Sequence, residues 1–280
     1  MDSLFKKQNQ IHSMSANSKN DNIKVYKEIG RKTFLLHQKL VTLLDEYKHF
    51  FHSKQELIVF SLLIKVTSNI LGSLSIVIGA IKAKGSIMYK LPLGVCFRCA
   101  IVDLQTALYY QSLSEETANA HFEVSNLQYA KSLLERMEVY KDKVHNISPK
   151  FDDKLLDEMY ELGLEDNFCE YFDFKCGENG VYLESTPEIQ YRKRASLEEG
   201  KYPTIKQMYE HLAAEAAYAH QAERLYHYYK YFSQYEHFSE LGFGDAYSPF
   251  GNDNAYIPSA IDIIEEGIEI VFKNLTRQSQ

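Results

Sequence analysis

The sequence predicts an all-α bundle of about six or seven helices, with one long irregular acidic insertion. Three observations predict it. Apolar residues recur at spacings of three, four and seven, helix-start and helix-stop residues punctuate those runs, and segments with strand-like alternation are scarce. The 280 residues are 45% hydrophobic with 13 Gly and 6 Pro, which is enough apolar material for a large core and too little Gly and Pro for a linker-like or collagen-like chain.

Residues 1–20 are polar and aperiodic and read as a flexible N-terminal arm. Residues 21–280 read as a single helical domain with its insertion at 163–202. Val25, Ile29, Leu36, Leu40, Leu43, Leu44 and Tyr47 draw one apolar stripe and predict a first helix over 22–51. Ser53, with Glu56 three residues on, is an N-cap for a second helix that reaches Gly85, a residue suited to a C-terminal cap. Its stretch Leu57–Ile81 is long enough to span a bilayer, but Lys65 sits a third of the way in, where a charge is costly in lipid, and Asn69 follows. The expectation is a central bundle helix buried on most sides. Pro92 opens a third helix carrying Cys96, Arg98, Asp103, Leu104, Leu108 and Tyr109.

Ser114 followed by Glu115 and Glu116 suits the start of a fourth helix, because the acids face the positive end of the helix dipole. It ends before Pro149, and a short helix over 151–162 stops at Gly163. The insertion is rich in acids, aromatics and glycine and holds a hairpin signal at Glu178-Asn179-Gly180. Pro203 and the capping box Thr204 to Gln207 start a helix predicted to continue unbroken to about Glu240, since no Gly or Pro interrupts it. After a Gly-rich turn, Ser259 is expected to cap a last helix whose Ile261, Ile264, Ile268, Val271 and Leu275 share one face.

Four cysteines are too few for a disulfide scaffold, and the N-terminal residues contain no apolar stretch of signal-peptide length, so a cytoplasmic protein without a membrane partner is expected. The net charge of −7 argues against a chain that coats nucleic acid along its whole surface. It is unevenly placed. Residues 1–110 carry 15 basic and 7 acidic side chains, and residues 111–280 carry 16 and 31. Either the two parts pack together and partly neutralise, or the basic part receives a phosphate-bearing partner. The cluster Tyr191-Arg-Lys-Arg194 is a second basic patch of the kind that is usually a solvated face.

No phosphate loop, G-x-G-x-x-G, nucleophile elbow, HExxH or kinase signature is present. Cys96 and Cys99 form a C-x-x-C, and Cys169 and Cys176 could complete four thiolates for zinc. The first pair lies in an apolar helical pattern and the second has a spacing zinc motifs do not use, so buried free thiols, no metal and no cofactor are expected. Of the Glu-x-x-His pairs a di-metal bundle needs, only Glu46 to His49 is found. The late helix is unusual, with His211, His220, His227 and His237 among Tyr209, Tyr218, Tyr226, Tyr228, Tyr229, Tyr231 and Tyr235. One reading is tyrosine rings in a wet bundle seam with histidines satisfying their hydroxyls. The other is a polar pocket in which His237 trades protons, oriented by Ser233 and Tyr229, with Arg224 and His227 meeting on the neighbouring stripe.

The run Leu93-Gly-Val-Cys-Phe-Arg98-Cys-Ala-Ile-Val-Asp103, followed downstream by Pro203-Thr-Ile-Lys-Gln-Met and Tyr228-Tyr-Lys-Tyr-Phe-Ser233-Gln-Tyr-Glu-His237-Phe-Ser, resembles a bacterial domain family of unknown function and looks like a distant neighbour of the HEPN helical domains. The resemblance covers residues 55–240 and singles out Arg98, Asp103, Tyr229, Ser233 and His237, with Arg98 able to bridge the third helix to the late one. It implies a partner-binding protein of a stress or phage-defence system, the partner being RNA, a nucleotide or another protein. HEPN ribonucleases carry an arginine four to six residues before a histidine, and here the chain departs from that pattern: position 230 is Lys, and only Arg31 to His37, on the first helix, has the spacing. The enzyme alternative is metal-independent RNA cleavage by His237, with Ser233 beside it and Arg98 or Lys230 stabilising phosphate charge. A third reading is a homodimeric scaffold joined through the Tyr-rich helix.

Overall fold

A computed structural model of the chain describes residues 16–48, 52–125, 172–173, 190–191, 202–233, 250 and 255–278. Its contacts divide the chain into two compact units, Met1–Glu115 with Pro203–Gln280, and Glu116–Tyr202. Seven α-helices lie among the described residues, and the architecture is an all-α bundle.

In the first unit, α1 (Ala16–Tyr47) precedes α2 (Lys54–Lys82). The first helix starts six residues earlier than its apolar stripe, so the last five residues of the expected arm are helical. Ser53 caps α2 as its sequence requires: its hydroxyl accepts from the Glu56 amide at 3.1 Å, while the Glu56 carboxylate accepts from the His52 amide at 2.7 Å. At the other end Gly85 N–H reaches the Ala80 carbonyl and Lys84 N–H reaches that of Ile81, the paired bonds of a Schellman cap. The left-handed residue that closes the helix is Lys84 (φ 55°), and Gly85 (φ 75°) follows it.

A 3-10 turn, Ile87–Tyr89, leads into α3 (Lys90–Ser112). Pro92 falls in the first turn of α3, where its missing N–H costs nothing. This helix, not α2, is the centre of the bundle. Leu93, Phe97, Ala100, Ile101, Leu104, Ala107 and Leu108 are fully buried, and α3 meets α2 on one side and the three later helices of the unit on the others. By contrast α2 packs mainly on α1 and α3 and leaves Leu57, Ile64, Leu71 and Ile78 about half exposed, which corrects the expectation of a helix buried on most sides. Its polar residues turn toward α3: Lys65 and Asn69 both meet Asp103, at 2.8 and 3.1 Å.

The expected long helix is two helices, α4 (Ile205–Ala214) and α5 (Ala219–Ser233). The Thr204–Gln207 capping box is formed in full. The break comes at Glu215, which turns extended (φ −95°, ψ 112°) and offers its carbonyl to the amides of Tyr218 and Ala219, both at 2.9 Å. No Gly or Pro causes it. A straight helix over 205–233 would turn the buried stripe of Gln221, Leu225 and Phe232 roughly 140° away from Met208 and Leu212. Both stripes are buried, and the hairpin lays both on α3, so tertiary burial overrides the helix preference of Ala-Ala-Glu-Ala-Ala. His211 closes the far end of this contact, its Nε2 lying 3.0 Å from Ser112 Oγ and its ring edge-on to Tyr109.

The last helix, α6 (Tyr256–Gln278), buries Ile261, Ile264, Ile268, Val271 and Leu275 as their spacing predicts. It begins before Ser259, so Ser259 is not its cap; with Pro258 it sits in the first turn, and its side chain is hydrogen-bonded to Tyr228 instead. Gly267 marks the tightest approach, since a Cβ there would lie 2.8 Å from Leu104 Cδ2 and 2.9 Å from Gln221 Nε2. The two oppositely charged parts of the chain do neutralise in part: Lys32 pairs with Asp262 at 2.7 Å, and Lys39 pairs with Glu265 and Glu269. Burial opposes the charge on Lys39, but the two carboxylates outweigh it and raise its pKa.

In the second unit, residues 116–125 continue a helix that starts directly after Ser114. Strand β1 (Phe172–Asp173) pairs antiparallel with β2 (Gln190–Tyr191), Phe172 opposite Tyr191, bracketing the Glu178-Asn179-Gly180 signal. The helix expected over 151–162, the remainder of the insertion, Arg194, Cys169 and Cys176 lie outside the described residues.

Candidate functional site

Two faces of α5 gather the residues that the sequence singled out. Residues 226, 229, 230 and 233 follow one side of the helix, and residues 224, 227 and 228 follow another.

On the first side the hairpin break is what builds the geometry. In an unbroken helix Tyr209 and Tyr226 would stand roughly 25 Å apart. Folding α4 back on α5 brings their rings into parallel contact, 4.2 Å between centroids and 7° between planes. Tyr229, one turn on, continues the stack at 5.8 Å and 18° from Tyr226. Cations sit on both members in α5: Lys230 Nζ lies 4.8 Å from the Tyr226 centroid, and the Arg98 guanidinium lies 5.2 Å from that of Tyr229.

Arg98 reaches this ladder from α3. Its Nε donates to Ser233 Oγ at 3.1 Å, and that hydroxyl in turn donates to the Tyr229 carbonyl at 2.7 Å. Arg98, Tyr229 and Ser233 therefore form one connected group across the α3–α5 contact, anchored underneath by Phe97 stacked on Phe232 at 6.0 Å. The three ladder tyrosines, Arg98 and Ser233 are half-buried, and Lys230 is exposed. Chemically, the arrangement offers aromatic faces beside two positive charges. His237 lies outside the described residues.

The second side faces α6 and is of another character. A shallow cleft of about 560 Å³ is lined by Glu223, Arg224, His227, Tyr228, Asp262 and Glu266, among others. Arg224 points both terminal nitrogens at the Glu266 carboxylate. Burial pushes the Tyr228 phenol above its ordinary pKa against the pull of its Ser259 hydrogen bond. With three acids around Arg224 and His227, this cleft suits a phosphate poorly.

Asp103 belongs to neither side. Five residues beyond Arg98 on α3, it faces α2, where burial raises its pKa against the opposing effects of Lys65 and Asn69. Arg31 and His37 lie six residues apart on one helix, roughly 120° apart around its axis, and do not converge. Cys96 and Cys99 are half-buried thiols on α3, and burial pushes the Cys96 thiol up, with Cys99 adding to the shift and a hydrogen bond to Ser73 opposing it. Among the described residues no group of three His, Cys, Asp or Glu side chains is placed to hold a metal ion.

The stack of Tyr209 on Tyr226 is the feature that sequence reasoning missed, because it needs the turn at Glu215. The helices Lys54–Lys82 and Ile87–Ser112 are long and apolar enough to cross a membrane, by length and composition only. No protein-family model, no curated protein and no solved structure matches the chain.

Proposed function

We propose that this chain is a HEPN-like helical protein that binds single-stranded RNA on the ladder formed by Tyr209, Tyr226, Tyr229, Arg98 and Lys230. The observation that carries the reading is the parallel tyrosine stack with a cation over each of its α5 members. Unpaired bases stack on aromatic rings and on guanidinium planes, worth about 1–3 kcal/mol per base, and lysine and arginine beside the rings meet the phosphates. A bacterial stress or phage-defence setting follows from the family resemblance alone.

The test is fluorescence anisotropy with a labelled pool of short single-stranded RNAs. Tyr226→Ala should weaken binding about tenfold or more, and Lys230→Ala should flatten the salt dependence by roughly 0.7 in log–log slope, as one lost phosphate contact does. Wild-type protein that binds neither this pool nor a mononucleotide refutes the reading. The enzyme alternative is separated by His237→Ala, which removes cleavage while keeping affinity if His237 is the general base and changes neither if the protein only binds.

A further inference from the structure

The exposed side of α2 repeats every seven residues. Leu57, Ile64, Leu71 and Ile78 are 46–50% exposed, and Ser61, Ser68 and Ser75, also exposed, alternate with them. Large aliphatics and small residues in that order make the seam by which one helix packs closely on another with a crossing angle of about 20°. The serines are prepared for burial, because each hydroxyl donates to the carbonyl four residues back, Ser61 to Leu57, Ser68 to Ile64 and Ser75 to Leu71, at 2.8–3.1 Å. No donor on this stripe is left needing water.

The strip continues onto α1. Asn22 meets Gly85 and Gly30 meets Val77, so α1 runs antiparallel to α2, and the same register sets Phe34 level with Ser73 and Val41 level with Val66. Phe34 and Val41 are each 46% exposed. These six half-exposed apolar side chains, with the serines between them, present several hundred Å², beyond the scattered apolar residues of an ordinary monomer surface and in the range that one partner contributes to a modest stable dimer.

We infer that this face is covered by a second copy of the chain, with α2 packed antiparallel on the partner subunit's α2 about a two-fold axis near Ser68. The stripe reads the same in both directions, large, small, large, small, large, small, large, which is the self-complementarity an isologous interface needs. Charge selects the direction. Along α2 the one charged residue between Leu57 and Ile81 is Lys65, held by Asp103 at 2.8 Å; parallel docking would set the two copies of Lys65 level, and antiparallel docking separates them by about 9 Å along the axis. The interface is independent of the ring ladder on α5 and replaces the Tyr-rich helix as the dimer contact.

The experiment is light scattering on the full chain over a dilution series, for wild type and for Ile64→Glu/Leu71→Glu, with circular dichroism to confirm that the variant is folded. A wild-type dimer whose dissociation constant rises at least about a hundredfold in the variant is the expected result, because four carboxylates would enter an apolar seam. Ser68→Cys should then cross-link to itself under mild oxidation beyond the background of the four native cysteines, and Ser61→Cys should do so only together with Ser75→Cys. A monomeric wild type overturns the inference, as does a dimer indifferent to the glutamates or a Ser61→Cys chain that cross-links alone. Flotation of monomeric wild type with phosphatidylcholine vesicles, lost in the glutamate variant, would assign the face to lipid and overturn it too.

Discussion

The two sides of α5 use the same residue types to opposite ends. Toward α3 and α4, tyrosines stack in parallel and the cations Arg98 and Lys230 lie over their rings. Toward α6, Tyr228 and Arg224 are drawn to Ser259 and Glu266 instead. What differs is the neighbour: α3 brings Arg98 to Ser233 and Phe97 to Phe232, whereas α6 lines the other side with Asp262 and Glu266. A Tyr/Arg/His periodicity on a helix therefore specifies no chemistry until the facing helix is known.

The strongest way to break the comparison is to push α6 away. Gly267→Ala would drive a Cβ against Gln221 Nε2, which cannot yield because it donates to the Ile263 carbonyl at 2.6 Å. The expected loss is about 1–3 kcal/mol in urea unfolding, with the α6 cleft distorted and RNA binding at the ladder retained. Next is Tyr229→Ala, which removes the platform beneath Arg98. It should cost about 1 kcal/mol of stability and weaken RNA binding about tenfold, and Tyr229→Phe should restore most of both. On the other side Arg224→Ala should cost under about 1 kcal/mol, since that ion pair is one-third to one-half exposed, and should leave RNA affinity unchanged.

Sequence reasoning reached helix ends and apolar faces because both are local. Ser53 and the Thr204–Gln207 box state their own geometry, and the isoleucines of α6 reveal its buried face by spacing. Arg98 meeting Ser233 was legible only through the family resemblance, since 135 residues separate them. The turn at Glu215 was not legible, because Ala213 to Ala217 are good helix formers and only the burial of two stripes on α3 breaks them. With that turn hidden, the stack of Tyr209 on Tyr226 was hidden too. Likewise an apolar run such as Leu57–Ile81 does not state whether its back is covered, and α2 shows that it can be half open.

The smallest effect sharpens the comparison by carrying it to a third ion pair. Asp103 is almost enclosed between α2 and α3, with its side chain 10% exposed, whereas its partner Lys65 is 64% exposed and solvated without it. Burial, the largest influence on this carboxyl, raises its pKa above the ordinary 3.8 despite Lys65 and Asn69. The folded chain therefore holds the Asp103 proton more tightly than the unfolded chain does. Between pH 3.8 and the raised folded value this group's contribution to stability falls as pH rises, and acidification through that window recovers it. Asp103→Asn keeps an acceptor for Asn69 and removes the buried charge. It should change stability at neutral pH by less than about 1 kcal/mol and abolish this acid-side slope in urea titrations, whereas Asp103→Leu, which strands Asn69, should cost about 1–3 kcal/mol. An Asp103→Asn protein that loses as much as Asp103→Leu would show that the Lys65 pair, not the hydrogen bond to Asn69, holds α2 to α3.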